Sequence, residues 1–486
     1  MNILLLLTEI GSKISWHQGL ASIGTYLRHN GYPGTDLLEL LRMDFGEVDR
    51  KIKQFDPTII AAAANSHQVP HVSKIFDYVS KKYPHIRLIM GGYHATLWPE
   101  VIHEVPGLHG IILGEGEGPM LQYAQAVENG NNDFSEVESL WYKLGDSIIK
   151  NPKTYYVKNL DDLPPLDRTL FSRFRETGPK KLLPFRVRFL FCRGCPFNCT
   201  YCCNKAFKDA FAGGVKNYLR WPSPQRAVDE IVYTVDHWNF KEFVIDDDIF
   251  TFNKKWVTEF CEKYPKHLKD KVSFECNIRV GCIDKELMQS LKDIGCSLLK
   301  FGVESGDELI RKNVLQRNMS DEVIIETYQM AREVGIGAHS FNIIGIPGER
   351  KEHVWKTIKM NRIIKPERVQ VTVFYPYLGT ELGNYCYDEE DMVGETLDSY
   401  YLDTQLDETL RDLSDGELKF FIRYFKLLVY MSYSWEKTWE ELISIFKTSA
   451  LMKPYWKARS LFQRAHRKFW KERKIPIYDG SQFSFE

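Results

Sequence analysis

Three cysteines, Cys195, Cys199 and Cys202, stand at the spacing C-x3-C-x2-C within the run Cys-Arg-Gly-Cys-Pro-Phe-Asn-Cys-Thr-Tyr-Cys-Cys at residues 192–203. Cysteines that merely fill a core do not gather in this way, so the cluster asks for a bound inorganic centre. Three thiolates on one short loop can hold three corners of a cubane 4Fe–4S cluster. The fourth iron is then open to a substrate or cofactor, whereas electron-transfer clusters use four cysteine ligands. Cys192 extends the run to C-x2-C-x3-C-x2-C, which also suits a structural zinc knot, although zinc sites usually draw two ligands from each of two separated knuckles. A disulfide is the weaker reading, because no secretory segment is present and cytosolic thiols stay reduced. Cys192 and Cys203 read as buried small residues, with a spare ligand or a redox-active thiol as the alternatives.

Something must hold that loop in place. Residues 1–125 alternate short apolar runs with amphipathic stretches: strands at 3–7, 58–63, 87–90 and 110–113, and helices at 19–30 and near 71–82. Continuous apolar strands separated by helices predict a doubly wound, Rossmann-like α/β domain, with ligands beyond the carboxyl ends of the strands. Two glycine-rich turns lie there, Gly91-Gly92-Tyr93-His94-Ala95 and Gly114-Glu115-Gly116-Glu117. Residues 126–183, with adjacent Pro164 and Pro165, read as a linker. Residues 184–390 carry six candidate strands (187–191, 242–245, 272–275, 298–302, 338–344 and 368–374) with helical patterns between them. They predict a partial (β/α)6 TIM-type barrel with its chemistry at the strands' C-terminal ends. The cysteine loop directly follows the first of these strands. Residues 391–486 read as a helical C-terminal region, and 417–435 has the pattern of an amphipathic helix.

The cysteine run resembles the signature of the radical S-adenosylmethionine (SAM) superfamily, in the branch with an N-terminal cobalamin-binding domain. That branch commonly reads S/T-R-G-C-P-F-x-C-x-aromatic-C; Tyr201 fills the aromatic position, and Cys192 stands where Ser or Thr is usual. The resemblance runs from about residue 1 to about residue 384. It implies SAM contacts at Tyr201, at Asp247 and Asp248 of a D-D-x-F turn, at Arg279, at Glu304 in F-G-x-E-S-G, and at Gly345 and Pro347 in G-x-P-G-E. Helix capping is an equal reading of the Asp247–Asp248 pair. It also implies cobalamin contacts at Gly91, Gly92, His94, Gly114, Glu115 and Gly116. The Asp-x-His-x-x-Gly motif of other cobalamin proteins does not follow the first strand, and His17 in that loop has the wrong spacing. Pro376 to Thr380 matches P-x-x-G-T and reads as a rigid turn. Tyr93, His94, His339, Tyr375 and Tyr377 are candidates for substrate contact or proton transfer, with packing as the commoner role of such side chains. No catalytic base is assigned.

The chemistry implied is reductive cleavage of SAM at the cluster to a 5′-deoxyadenosyl radical. With cobalamin, the outcome is methylation of an unactivated carbon of a small-molecule or lipid-like substrate. A second reading keeps the radical and ends in carbon–carbon bond formation, cyclisation or rearrangement. A third is a non-catalytic zinc scaffold. The resemblance calls for a reducing partner such as flavodoxin or ferredoxin. A chain of 486 residues predicts two or three domains. Its net charge of −1 gives no footprint for nucleic acid. No stretch approaches the ~20 apolar residues of a membrane span, and a cytoplasmic protein is expected.

Overall fold

The computed structural model describes residues 1–10, 16–179, 181–388 and 412–447. It divides into two compact units, Met1–Ile422 and Arg423–Glu486.

The first unit contains two sheets. The N-terminal one comprises β1 (Ile3–Thr8), β2 (Thr35–Leu40), β3 (Ile59–Ala63), β4 (Arg87–Gly91), β5 (Gly110–Ile112), β6 (Leu140–Leu144) and β7 (Ser147–Lys150), in the order β2-β1-β3-β4-β5-β6-β7. The first five strands are parallel, and β6 and β7 add antiparallel. Every residue of β1 and of β3 is buried, because helices cover both faces; this is why they read as unbroken apolar runs. The order reverses beside β1, and the two glycine turns follow β4 and β5 at the carboxyl edge where a doubly wound sheet binds ligands.

The second sheet holds β8 (Val187–Phe189), β9 (Glu242–Ile245), β10 (Ser273–Ile278), β11 (Cys296–Glu304), β12 (Gly337–Ile344) and β13 (Arg368–Val373). They pair in strict sequence order, all parallel, as a barrel that does not close. Burial alternates along β12, one face packed under the outer helices and the other lining the interior. The six barrel strands expected from the sequence are all present. Three strands were not expected: β2, and the β6–β7 hairpin inside the stretch read as a linker. That hairpin extends the first sheet, so residues 126–183 are only partly a connection. Its two strands are only five and four residues long, and their apolar runs, Leu140-Trp141-Tyr142 and Ile148-Ile149, are too short to announce them.

The second unit includes the end of the helix Asp415–Tyr430 and the helix Trp435–Lys447. The rest of the expected C-terminal helical region, 391–411 and 448–486, lies outside the described residues.

Candidate functional site

The cysteine loop leaves β8 and is tied down at several points. Phe191 N–H donates to Asp247 Oδ1 (2.6 Å), and Arg193 and Arg220 exchange backbone hydrogen bonds of 2.9 and 3.0 Å. Gly194 has φ +97°, and a Cβ there would meet the Tyr218 carbonyl at 2.7 Å, so only glycine passes this point. Thr200 Oγ1 donates to the Val314 carbonyl (2.6 Å), and the Thr200 carbonyl accepts from Leu382 N–H (2.9 Å). Lys208 Nζ donates to the Pro196 carbonyl (3.0 Å). A loop fixed on both flanks presents its thiols in one arrangement.

Cys195, Cys199 and Cys202 line one cavity of about 730 Å3 inside the barrel. Cys192 faces a different cavity and donates to the Gly194 carbonyl (3.6 Å), so it stands apart from the triad. This separation disfavours the four-thiolate zinc knot. Burial pushes the Cys195 thiol up to about 12, while a hydrogen bond from Cys203 holds Cys202 below the usual thiol range against its burial. Two guanidinium groups answer the thiolate charge: Arg279 Nη1 and Arg317 Nη1 each lie 3.7 Å from Cys199 Sγ. A three-thiolate donor set flanked by two cations and open to a cavity fits a 4Fe–4S cluster with one unligated iron.

Of the residues expected to meet SAM, Tyr201, Asp248, Arg279 and Glu304 line the same cavity. Glu304 closes β11 at φ +65°, a strained conformation for a side-chain-bearing residue, beside a register shift between Gly302 and Glu304. Burial raises its carboxyl pKa, opposed by Arg317, which pairs with it at 3.7 Å. Three expected contacts are not in that wall. Asp247 is wholly buried and accepts from Phe191 N–H, so it braces the cysteine loop. Gly345 N–H donates to buried Glu349 (2.6 Å), and this turn, with Pro347, packs behind the wall. Arg317 was missed by sequence reasoning. It lies in an irregular stretch after a π-helical turn and belongs to no recognised motif, so nothing in its local sequence announces it.

A second cavity, of about 780 Å3, lies between the carboxyl edge of the first sheet and the cysteine loop. Its walls include Gly91, Gly92, Gly114, Glu115 and Gly116 over an apolar floor of Leu5, Ala61 and Ile89. At Gly114, φ is +80° and a Cβ would reach only Lys153 Cδ, at 3.9 Å, so the bare backbone fronts open space. A flat macrocycle needs such a glycine-edged, apolar cleft, and the residues present fit cobalamin. Glu115 is also an ion-pair partner of Arg193 (2.9 Å) and of Arg220, while Glu117 pairs with Arg193 at 2.6 Å. Arg193 and Arg220, likewise unforeseen, therefore clasp the second glycine turn to the cysteine loop.

His94 is a correction: it is buried behind the wall, with Nδ1 3.0 Å from Ser66 Oγ. The short helix Tyr93–Leu97 turns Tyr93 into the cavity and His94 away from it. His17 lines the cavity, but its Nδ1 accepts from Leu20 N–H (3.1 Å) as the cap of helix Gln18–His29, and burial lowers its pKa to about 4. The neutral ring then carries its proton on Nε2 and has no lone pair left for a metal. His339 lines the first cavity, and Tyr375 and Tyr377 pack on each other outside both walls. Asn204 and Asp248 belong to both walls, as do Arg188 and Asp246.

Comparison with known proteins bears on the kind of protein that carries these two cavities. The radical SAM superfamily model matches residues 189–360, and the B12 binding domain model matches residues 6–124. The chain thus carries a radical SAM domain and a B12 binding domain. It is a radical SAM enzyme carrying a B12 binding domain, with a 4Fe–4S cluster, SAM and cobalamin as its cofactors. It is 26% identical over 349 residues to an uncharacterized methyltransferase of Pyrococcus horikoshii, covering 71% of this chain and 72% of that one. It is 25% identical over 403 residues to the anaerobic magnesium-protoporphyrin IX monomethyl ester cyclase of Cereibacter sphaeroides, covering 80% of this chain. Only 63% of that cyclase is spanned. In fold it is similar to the radical SAM methyltransferase TsrM of Kitasatospora setae, with a TM-score of 0.66 and 13% identity over 92% of this chain and all of that one. It is also similar to the cobalamin-dependent radical SAM enzyme OxsB, with a TM-score of 0.67 and 16% identity over 96% of this chain and 75% of that one. Among the described residues, no helix is long and apolar enough to cross a membrane.

Proposed function

We propose that this protein is a cobalamin-dependent radical SAM methyltransferase acting on a carbon of a small-molecule substrate. The observation that carries the reading is the shared wall: Asn204 and Asp248 line both the cysteine cavity and the glycine-edged one. A carbon held at that wall lies within reach of both sites, as a reaction needing both must arrange.

When bound, the cluster supplies the electron that breaks a carbon–sulfur bond of SAM, and cobalamin supplies the methyl group. The chain does the rest. Cys195, Cys199 and Cys202 are the residues that would hold the cluster, with the cavity they line left open to SAM. Arg279 and Arg317 offset thiolate charge and offer a planar fork to the SAM carboxylate, a geometry suited to bidentate pairing. Glu304 and Asp248 accept from the SAM ammonium or ribose, and Tyr201 flanks the nucleoside. The Arg193–Glu117 and Arg220–Glu115 pairs keep the two cavities in register, so that the substrate meets both faces without water between them.

The test is anaerobic reconstitution with iron, sulfide, cobalamin, SAM and a low-potential reductant. The reading expects both 5′-deoxyadenosine and S-adenosylhomocysteine, the second only when cobalamin is present. 5′-Deoxyadenosine alone would favour bond formation without methyl transfer, the outcome to which the cyclase relatives lend support.

A further inference from the structure

The barrel interior continues below the cysteines as a charged shaft. Inward positions alternate along each strand, and neighbouring strands bring Lys300, His339 and Arg368 into one row across β11, β12 and β13. Glu275 of β10 faces this row with its side chain 3% exposed. Its carboxylate takes Arg368 Nη1 at 2.5 Å, Arg186 Nη1 at 2.7 Å and Lys300 Nζ at 3.3 Å. Arg188 of β8, two residues beyond Arg186, pairs with Asp246 at 2.6 Å. Arg186 Nε also lies 3.7 Å from Glu242, so four cations meet three carboxylates on this stretch of wall. Burial raises the Glu275 pKa, but Lys300, Arg186 and Arg368 outweigh that and hold it below the usual carboxylate range.

One cation per carboxylate would serve a purely structural role, whereas here one cation is in excess and Glu275 alone is shared by three of them. Arg186 and Arg368 keep about half of their side-chain surface exposed, 45% each, so each guanidinium, though paired with Glu275 through Nη1, still has surface open to an incoming group. All four cations line the cavity that holds the cysteine triad. We infer that this row binds an oxyanion group of the substrate, phosphate or carboxylate, and so selects a polyanionic small molecule over a lipid-like one. The anionic end sits low in the barrel on Arg186, Lys300 and Arg368. Arg188 continues the cationic wall up to the part common to both cavities. The inference rests on the methyltransferase reading for which carbon reacts, but not for the anion site itself.

The probes are inorganic pyrophosphate and citrate, titrated separately by calorimetry into cluster-loaded protein with SAM bound. Saturable binding of pyrophosphate points to a phosphorylated substrate, and of citrate alone to a polycarboxylate; either supports the site. R186Q/R368Q is expected to weaken binding at least about tenfold, since each removes a charge-assisted hydrogen bond. E275Q should act in the opposite direction, tightening binding, because it removes the competing carboxylate. A hub that serves only packing predicts loss in both variants. Should either variant fold poorly, the thermal shift produced by pyrophosphate or citrate in the wild-type protein and in R368K decides instead: retained in both if the inference holds. Absence of binding by both probes to the wild-type protein overturns it. That result leaves 5′-deoxyadenosine and S-adenosylhomocysteine formation untouched, so the two readings fail separately.

Discussion

The two sheets of the first unit are built to opposite rules. In the N-terminal sheet, β1 and β3 are buried on both faces, and the ligand cleft lies off the strand ends among glycines. In the barrel sheet, one face of each strand is packed and the other looks into a cavity walled by Arg186, Glu275, Lys300, Glu304 and Arg368. The first sheet therefore shapes its site by leaving side chains out, and the second by filling its interior with charge. A flat macrocycle needs room; a sulfonium, an iron–sulfur cluster and their counter-ions need fixed charges in a low-dielectric interior.

That contrast can be broken most severely at the loop between the sheets. Cys199→Ala removes one cluster ligand, and 5′-deoxyadenosine formation should fall to background, with iron and sulfide per chain lowered together. Formation at the wild-type rate would show that the barrel cavity does not house the cluster. Arg317→Gln tests the charge in the barrel wall more gently. It should lower kcat/KM for SAM cleavage by about 10- to 100-fold, the usual cost of losing a group that supports a metal ligand, while the cluster's absorbance persists. An unchanged kcat/KM would reduce Arg317 to a packing residue.

Stability measurements address the other sheet. Leu6 is 1% exposed in β1. Leu6→Ala should cost about 2–5 kcal/mol by denaturant titration, because helices close both faces and the cavity cannot collapse. A loss below about 1 kcal/mol would mean this sheet is looser than its burial indicates. The smallest effect concerns pH. His17 has its pKa lowered to about 4 by burial, so the unfolded chain takes up a proton that the folded one resists. Stability should be complete above the unfolded value of roughly 6.5 and decline by up to about 3 kcal/mol as pH falls from there to about 4. His17→Asn keeps a capping side chain and should flatten that decline. An equally steep decline in the variant would assign it to other groups.

Much of this arrangement was legible in the chain itself. The unbroken apolar runs of β1 and β3 are what a sheet covered on both faces demands, and the six barrel strands follow from runs placed before glycine- or acid-bearing turns. β2 escaped notice because Asp36 and Glu39 interrupt its apolar run at the sheet's edge. At the site, Cys195, Cys199 and Cys202 could be read from spacing, since ligands on one loop are neighbours in sequence. Asp247 and His94 sit in motifs that border the cavities, yet their side chains turn into the packing behind them. Motif position follows the backbone, whereas direction follows the local turn.

The sequence by itself determined the order of the two sheets, the triad on its loop and the glycine turns after β4 and β5, because each of these is set by short-range pattern. Only the tertiary structure decided that Arg317 reaches Cys199, that Arg193 and Arg220 clasp the cysteine loop to the second glycine turn, and that three cations converge on Glu275. Such pairings join residues 25 to 118 positions apart. Their geometry depends on how strands stack in register, which no local run of side chains encodes.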